Sequence, residues 1–343
     1  MRFGRCAAGS FGARDCAGDP LTGNAATLRR QRPLTGHPTG TVPTPIRNGE
    51  GRGNLSDPCG KGRFGAPLMT TRRQIRIAGA LALGAGAALA ARAYARRGRG
   101  GPDDRRAAYE PVNTLKPVSE GIWIVDGEPI HAMGLVLPVR MTVVRLAGGD
   151  LLLHSPVEPG PELARAVGRL GPVRHLLAPT TAHWKFLKDW QSAFPEATSW
   201  AVPGLGDRLQ VRASSLRIDR ELGEVAPAEW SPTVRQGLVR GPGFCEAFLF
   251  HQPSRTLVLA DLVQNMEPAR LPPVSAAVAR LARATAAGPA AHIRLILTLG
   301  GRRSREDVRR MVALEPEKVV FAHGRWFAGN GSERLRRAFK AFL

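Results

Sequence analysis

The stretch 248–265 constrains the fold of this chain more than any other segment, and it reads FLFHQPSRTLVLADLVQN. Two apolar runs, 248–250 and 257–260, lie on either side of a polar turn. This pattern predicts a β-hairpin whose second strand is buried. Asp261 follows that strand directly, and an unpaired carboxylate is too costly to bury inside a sheet. We therefore expect Asp261 at the mouth of a sheet, as a metal ligand, an acid/base group or the cap of a following turn.

The positive charge is distributed unevenly along the chain. Residues 1–110 contain 19 Lys and Arg against 7 Asp and Glu, whereas residues 111–343 contain 30 against 21. The longer second part is therefore only moderately basic. It shows no stripe of basic residues interleaved with aromatic residues and no recognisable nucleic-acid motif. We expect no nucleic-acid partner.

The cysteines do not indicate a metal or disulfide framework. Three of the four, Cys6, Cys16 and Cys59, fall in the first 60 residues, and no C-x-x-C pair exists. Cys245 stands at the start of a predicted strand. Its simplest interpretation is a small buried hydrophobic residue.

The first hundred residues divide into a polar tail and an export-like segment. Residues 1–68 are rich in Gly, Pro, Arg and Thr without a sustained apolar period, so they are predicted to be disordered. Residues 69–97 have a basic start, an uncharged stretch at 77–91 and a basic end, which is the three-part form of an export signal. Within it, 71–75 resembles a twin-arginine signal, and 93–95 offers a small-x-small cleavage site.

Two interpretations of 69–97 stay open. As a signal or membrane anchor it predicts an exported or membrane-anchored protein on the periplasmic side, with membrane association through 72–97. Met69 would then be the true initiator and 1–68 an over-extension of the reading frame. The fifteen uncharged residues rise only about 22 Å as a helix, less than the roughly 30 Å hydrocarbon core. The alternative is an apolar helix without targeting value in a cytoplasmic protein.

After a predicted linker at 98–117, residues 118–343 are predicted to form one domain of mixed strands and helices. Strands are predicted at 122–125, 141–146, 151–154, 175–178, 199–202, within 230–240, in the 248–260 hairpin, at 293–299 and at 318–322. Helices are predicted at 161–170, 184–194, 274–287, 304–314 and 332–339. Hairpins come early and strand–helix units later, which favours an α/β fold of two sheets between helices in four layers.

Four stretches, 151–159, 173–205, 248–265 and 319–326, resemble an uncharacterised family of metallo-β-lactamase-like proteins. The most specific pieces are the His-Ser-Pro at 154–156, the Ala-Pro-x-x-x-His at 178–183 and the His-x-Pro-Ser-Arg-Thr-Leu at 251–257. The resemblance implies a metallo-β-lactamase-like αββα sandwich. It places the site at the loop-bearing edge of the sheets.

The wider metallo-hydrolase superfamily holds two metal ions, and the resemblance carries over only part of its ligand set. The segment 180–186 reads TTAHWKF and keeps one histidine of that motif, His183. Asp261 matches the bridging aspartate, and His323 matches the late histidine. The resemblance therefore implies His183, Asp261 and His323 as metal ligands, with Asp261 and His183 as the catalytic candidates. Three ligands can hold one ion but not two.

Lys185 stands where the superfamily motif has an aspartate, and an ammonium group beside a divalent ion is repulsive. It could instead pair with Asp261 and take the place of the ion. The predicted pocket also contains His154, Trp184, Arg325 and Trp326. The simpler interpretations of these residues are a turn cap for His154, core anchors for the tryptophans and an exposed surface position for Arg325.

The depleted ligand set favours a non-hydrolytic binding or structural protein, with an unknown small molecule as partner and no metal. The first alternative is a mononuclear hydrolase in which His183, Asp261 and His323 hold one zinc or iron ion. The second alternative is a membrane-surface accessory protein. The sequence does not identify the substrate.

Overall fold

The computed structural model describes residues 102–343, and the predicted tail (1–68) and export-like segment (69–97) lie outside this range. No helix of the described range is long and apolar enough to cross a bilayer. The helices are α1 (Pro102–Arg105), α2 (Pro161–Leu170), α3 (Leu187–Ala193), α4 (Leu209–Ala213), α5 (Pro273–Leu281), α6 (Ala291–Leu299), α7 (Gly301–Val312) and α8 (Gly331–Phe339), with a 3₁₀ turn at Pro268–Arg270.

The strands are β1 (Lys116–Ser119), β2 (Ile122–Asp126), β3 (Ile130–Ala132), β4 (Leu135–Leu137), β5 (Arg140–Arg145), β6 (Leu151–His154), β7 (Val173–Ala178), β8 (Thr198–Ala201), β9 (Arg220–Glu221), β10 (Val234–Gly241), β11 (Phe244–His251), β12 (Thr256–Val258), β13 (Gln264–Asn265), β14 (Lys318–Val320) and β15 (His323–Gly324). Seven of them form a sheet in the order β1-β2-β5-β6-β7-β8-β9, and four form a second sheet in the order β10-β11-β12-β14. Two short ladders, β3-β4 and β13-β15, complete the pairing.

The hairpin predicted from 248–265 is present. Strands β11 and β12 pair antiparallel, with His251 opposite Thr256 next to the turn. Strand β12 then pairs with β14 in parallel. Because these two strands run in the same direction, their carboxyl ends lie at the same edge of the smaller sheet.

Apolar side chains fill the spaces on both faces of each sheet. On β6, Leu152 packs between the two sheets, whereas Leu151 and Leu153 pack on the opposite face with Leu163 of α2 and Trp190 of α3. This alternation explains a strand that is apolar throughout. The outer face of the smaller sheet packs against α6, α7 and α8. The predicted mixed α/β fold is therefore confirmed.

One predicted strand is wrong. Residues 293–299 belong to α6, a helix. Ile293 and Leu297 are buried, whereas Leu295 and Leu299 are exposed. Burial four residues apart is the helical spacing, and a strand would place all four on one face. The segment reads IRLILTL, and apolar residues at 293, 295, 297 and 299 imitate the two-residue period of a strand.

Part of the predicted linker at 98–117 is folded. It contains α1, and the small side chains of Ala107 and Ala108 are buried, Ala107 in one cluster with Val136 and Met266. Lys116 forms an ion pair of 2.9 Å with Asp126. The packed structure therefore begins before residue 118.

Candidate metal centre

Three side chains from separate segments of the chain meet at one edge of the two sheets. His183 follows β7, whereas Asp261 and His323 each lie three residues beyond the paired parallel strands β12 and β14. The end of β7 joins the smaller sheet through a hydrogen bond of 2.9 Å from the Ala247 N–H to the Pro179 carbonyl. The topology therefore brings together residues that are up to 140 positions apart in the chain.

The three ligand-type atoms form a nearly equilateral triangle. Asp261 Oδ1 lies 3.2 Å from His183 Nε2 and 3.2 Å from His323 Nε2. The two Nε2 atoms are 3.3 Å apart. Among residues 102–343, this is the one group of three His, Cys, Asp or Glu side chains close enough to share a metal ion.

Each member of the triangle is oriented by a further hydrogen bond. His323 Nδ1 donates to the Pro138 carbonyl at 2.8 Å, and since a carbonyl only accepts, this nitrogen carries a proton. His183 Nδ1 is 2.6 Å from Ser155 Oγ. Thr180 Oγ1 donates to Asp261 Oδ2 at 3.1 Å. These contacts turn both Nε2 atoms and one carboxylate oxygen toward a common point.

The electrostatics of the triangle require a positive charge. Burial raises the pKa of Asp261, but the charges and hydrogen bonds of His183 and His323 outweigh it and hold that pKa well below the usual range. Burial lowers the pKa of His323, but its hydrogen bond with Asp261 outweighs this and raises that pKa above the ordinary value. An ionised carboxylate therefore attracts a proton or a metal ion to the Nε2 atoms.

Glu246 holds the turn that carries Asp261. It is fully buried on β11, and its carboxylate accepts the backbone N–H groups of Ala260, Asp261 and Leu262 at 2.7, 2.8 and 2.9 Å. Burial and the neighbouring Asp261 raise the pKa of Glu246 to about 8, against the opposing effect of the three N–H donors. The capping role considered for Asp261 therefore belongs to Glu246. Its sequence signal was an acidic residue within an otherwise apolar strand.

Arg140 holds the segment that carries His323. From the start of β5 its guanidinium donates to the carbonyls of Phe321 and Gly324, both at 2.8 Å, and pairs with Asp126 at 2.6 Å. Gly324 has φ +96°, and a Cβ atom there would lie 2.1 Å from the Asn265 carbonyl oxygen. No residue with a side chain fits at that position without moving β13 away from β15.

A cavity of about 470 Å³ opens beside the triangle, and His183, Asp261 and His323 form part of its wall. Most of the other lining side chains are apolar. Lys185 also lines it, but its Nζ lies 4.7 Å from the centre of the Phe186 ring. The side-chain partners of Asp261 within the described range are His183, His323 and Thr180. The suggested Lys185–Asp261 ion pair is therefore not formed.

His292 is a further residue of this cavity that the sequence reasoning missed. It lies in the first turn of α6. The residue is exposed at the surface, but partial burial of its ring lowers its pKa, and the charge of Asp261 partly opposes this shift. The imidazole is therefore neutral near pH 7. No sequence signal distinguishes it from an ordinary helix residue, since only the tertiary fold brings α6 to the cavity.

The remaining predicted pocket residues lie elsewhere. His154 is buried at the end of β6 behind the cavity wall, and its Nε2 has no hydrogen-bond partner among the described residues. Trp184 packs against the core beneath α2 and α3. Arg325 and Trp326 line a separate cavity with Asn265 and Glu267. Of the five predicted pocket residues, Lys185 alone lines the cavity at the triangle.

Comparisons with known proteins identify one matching family model, described as "Domain of unknown function (DUF4336)", over residues 119–293. No curated protein sequence matches the chain. Among solved structures, the metallo-β-lactamase from Pontibacter korlensis is similar, with 13% identity, a TM-score of 0.44 and coverage of 67% of this chain and 98% of that chain.

Two other solved structures are similar to a comparable degree. The DIM-1 metallo-β-lactamase exposed to ceftazidime has 13% identity, a TM-score of 0.46 and coverage of 67% of this chain and 97% of that chain. The metallo-β-lactamase from Hirschia baltica has 10% identity, a TM-score of 0.44 and coverage of 67% and 97%. Identities this low do not transfer an activity from one protein to another.

Proposed function

This chain belongs to the family of the domain of unknown function DUF4336, and from that premise we propose that it is a mononuclear metal-dependent hydrolase. One zinc or iron ion is held by His183, Asp261 and His323, in an αββα sandwich of the metallo-β-lactamase type. This function was the first alternative from the sequence. The geometry supports it better than the metal-free binding protein, because the triangle is arranged as a ligand set.

The observation that carries the proposal is the size of the triangle. Ligand atoms about 2.0–2.1 Å from a tetrahedral zinc ion lie about 3.3–3.4 Å from one another. The three atoms here are 3.2, 3.2 and 3.3 Å apart. Two imidazole nitrogens and one carboxylate oxygen are also a ligand combination that zinc and iron accept. Three protein ligands leave a position open for water or substrate, as in catalytic zinc sites.

The surrounding hydrogen bonds support the same assignment. In metal sites, a histidine ligand donates its second ring nitrogen to a carbonyl or hydroxyl oxygen, which fixes the ring orientation and the tautomer. His323 does this with Pro138 and His183 with Ser155. Ser155 adopts a left-handed backbone conformation with φ +55°, which is uncommon outside glycine. A site oriented in this way needs little rearrangement to hold an ion.

The roles of the chain's own residues follow from their positions. A bound ion supplies Lewis acidity, which polarises the substrate and makes water a stronger acid. Hydrolysis adds the hydroxyl of water to the reacting carbon of the substrate and a proton to the leaving group. The imidazole of His292 lines the same cavity, and we assign it as the acceptor of the proton that water would lose. The apolar wall limits competing water around the reacting group.

Metal analysis tests this proposal. Protein purified without added metal and then titrated with zinc or iron should contain about one ion per chain by elemental analysis. His183→Ala and Asp261→Asn should lose that ion. His131→Ala is the matched control, because His131 pairs with Asp104 and does not line the cavity. Failure of the wild-type protein to retain either metal at micromolar concentration would favour the metal-free binding protein.

Residues 69–97 lie outside the described range, and their sequence alone supports the proposal that they direct export or attach the chain to a membrane. Mass spectrometry of the native amino terminus tests whether the chain begins at Met69 and whether the segment is cleaved. Carbonate extraction of membranes tests attachment.

A further inference from the structure

The cavity beside the triangle has one polar end and a large apolar body. The hairpin β3-β4, the start of β11 and the helices α5 and α6 contribute its apolar wall. Apolar residues of this wall include Val136, Phe186, Phe244, Ala282, Ile293 and Ile296. At the triangle, Ser155 and Thr180 are bonded to His183 and Asp261, and the other polar lining residues are Thr181, Lys185, Gln264, Ser275 and His292.

We infer that the substrate carries a long aliphatic chain, which occupies the apolar body while its ester or thioester group lies at His183, Asp261 and His323. This inference rests on the proposed hydrolase function and specifies its substrate class. A small polar substrate would leave most of the wall without a partner. An aliphatic chain matches the wall along its length, because the apolar surfaces of the ligand and of the wall are both removed from water.

The volume sets the length of the chain. A cavity of about 470 Å³ lies within the range of small-molecule sites, about 300–1,000 Å³. Sites of this size bury most of a drug-sized ligand, so a chain on the order of ten carbons with its reacting group fits.

The exposed part of the cavity lining includes Met133 together with the polar residues Lys185 and His292. Met133 lines the cavity and is also 90% exposed. It stands at the tip of the β3-β4 hairpin with φ +49°, followed by Gly134 with φ +78°, which is the conformation of a tight hairpin turn. An aliphatic chain that enters past Met133 keeps apolar contact from the surface inward.

The first test measures binding without metal or turnover. Decanoic acid should bind the metal-free protein in isothermal titration calorimetry, and the affinity of straight-chain fatty acids should rise about fourfold for each added methylene up to about ten carbons. Ala282→Phe fills the cavity and should weaken binding at least tenfold. Ala277→Phe is the matched control on the same helix, since Ala277 is exposed and does not line the cavity.

The second test uses the metal-loaded protein and 4-nitrophenyl esters below their micelle concentrations. The ratio of kcat/KM for decanoate to that for acetate should be large in the wild-type protein. Ala282→Phe should lower this ratio, and Ala277→Phe should leave it unchanged. Equal rates for acetate and decanoate, or fatty-acid binding that is absent or insensitive to Ala282→Phe, would overturn the inference.

The two proposals can fail separately. Fatty-acid binding that depends on residue 282 in a protein that retains no metal would refute the hydrolase and keep the aliphatic ligand. Retention of one metal ion without fatty-acid binding would keep the hydrolase and refute the substrate class. Asp261→Asn should lose the ion and still bind decanoic acid, which separates the two ends of the cavity in one protein.

Discussion

The ends of β6 and β14 each place a histidine in the interior, and the two histidines behave in opposite ways. Burial, with a smaller contribution from His183, lowers the pKa of His154 to about 3. The pKa of His323 is raised, although His323 is also buried, because Asp261 accepts its hydrogen bond. Burial alone therefore does not decide the charge of a histidine in this molecule. The presence of a carboxylate partner decides it. This partner distinguishes His323, a candidate ligand, from His154, which packs in the interior.

Loss of the carboxylate should abolish this difference and have the largest effect. Asp261→Asn removes the negative charge that raises the pKa of His323, so that pKa should fall below about 6.5 in an NMR titration of the metal-free protein. His154 should be unaffected. Zinc affinity should fall more than 100-fold, because a ligand is lost rather than a neighbouring group. A variant that retains the raised His323 pKa would show that Asp261 is not its cause.

The next largest effect should come from the residue that positions His323. Arg140→Met leaves Asp126 with Lys116 as its remaining ion-pair partner and leaves the Phe321 and Gly324 carbonyls without this donor. The free energy of unfolding should fall by about 3 kcal/mol, measured by urea denaturation. Arg302→Met, in an exposed pair with Glu306, is the control and should give no measurable change. Equal stability of the two variants would contradict this account of Arg140.

The pH dependence of stability distinguishes the two histidines by sign. Because the pKa of His154 is lowered to about 3, the unfolded state binds more protons between about 3 and 6.5, and lowering the pH from 7 to 5 should cost about 2 kcal/mol. His323 has a raised pKa, so its stabilisation is present below the unfolded pKa and is lost as the pH rises through the folded pKa.

Urea denaturation of the metal-free protein at several pH values measures both contributions. His154→Gln should reduce the loss of stability between pH 7 and 5, whereas His323→Gln should reduce the loss on the alkaline side. If His154→Gln keeps the full acid-side loss, His154 does not remain neutral in the folded protein.

The smallest effect is expected at Ser155, which follows His154 in the chain and contacts the His183 side chain. Ser155→Ala removes the hydroxyl 2.6 Å from His183 Nδ1. Zinc affinity should fall about tenfold, as for other residues that orient a metal ligand. Ser254→Ala is the matched control, because that hydroxyl contacts His251 outside the cavity wall. An unchanged affinity in Ser155→Ala would show that the His183 ring is held by packing alone.

The sequence predicted the parts of the fold that depend on local residue patterns. The hairpin at 248–265 follows from apolar runs on either side of a turn, and such runs are a local property. The segment 293–299 misled for the same reason, because its alternating apolar residues match the local pattern of a strand, whereas the segment forms a helix. Leu295 and Leu299 provide that information only once the tertiary fold is known.

The candidate site was predictable as far as the family resemblance extended. It pointed to His183, Asp261 and His323, which the fold brings together. Glu246 was missed although its backbone partners lie only 14 to 16 residues away, because an acidic residue in an apolar strand was its one signal. Arg140 was missed because its partners are distant in the chain. Arg140 bonds carbonyls 181 and 184 residues away, and no local pattern records such a contact. The expected Lys185–Asp261 pair failed because Lys185 lies over the neighbouring Phe186 ring instead.

The three hydrogen bonds of Glu246 have a consequence for how a ligand enters. They attach the Asp261 turn to the central strand β11, so that this side of the cavity is rigidly connected to the interior of the molecule. The opposite side consists of a two-stranded ladder with an exposed methionine at its tip and the short helix α5. We therefore expect any widening that admits a large ligand on the side of β3, β4 and α5, while the triangle of His183, Asp261 and His323 keeps its dimensions.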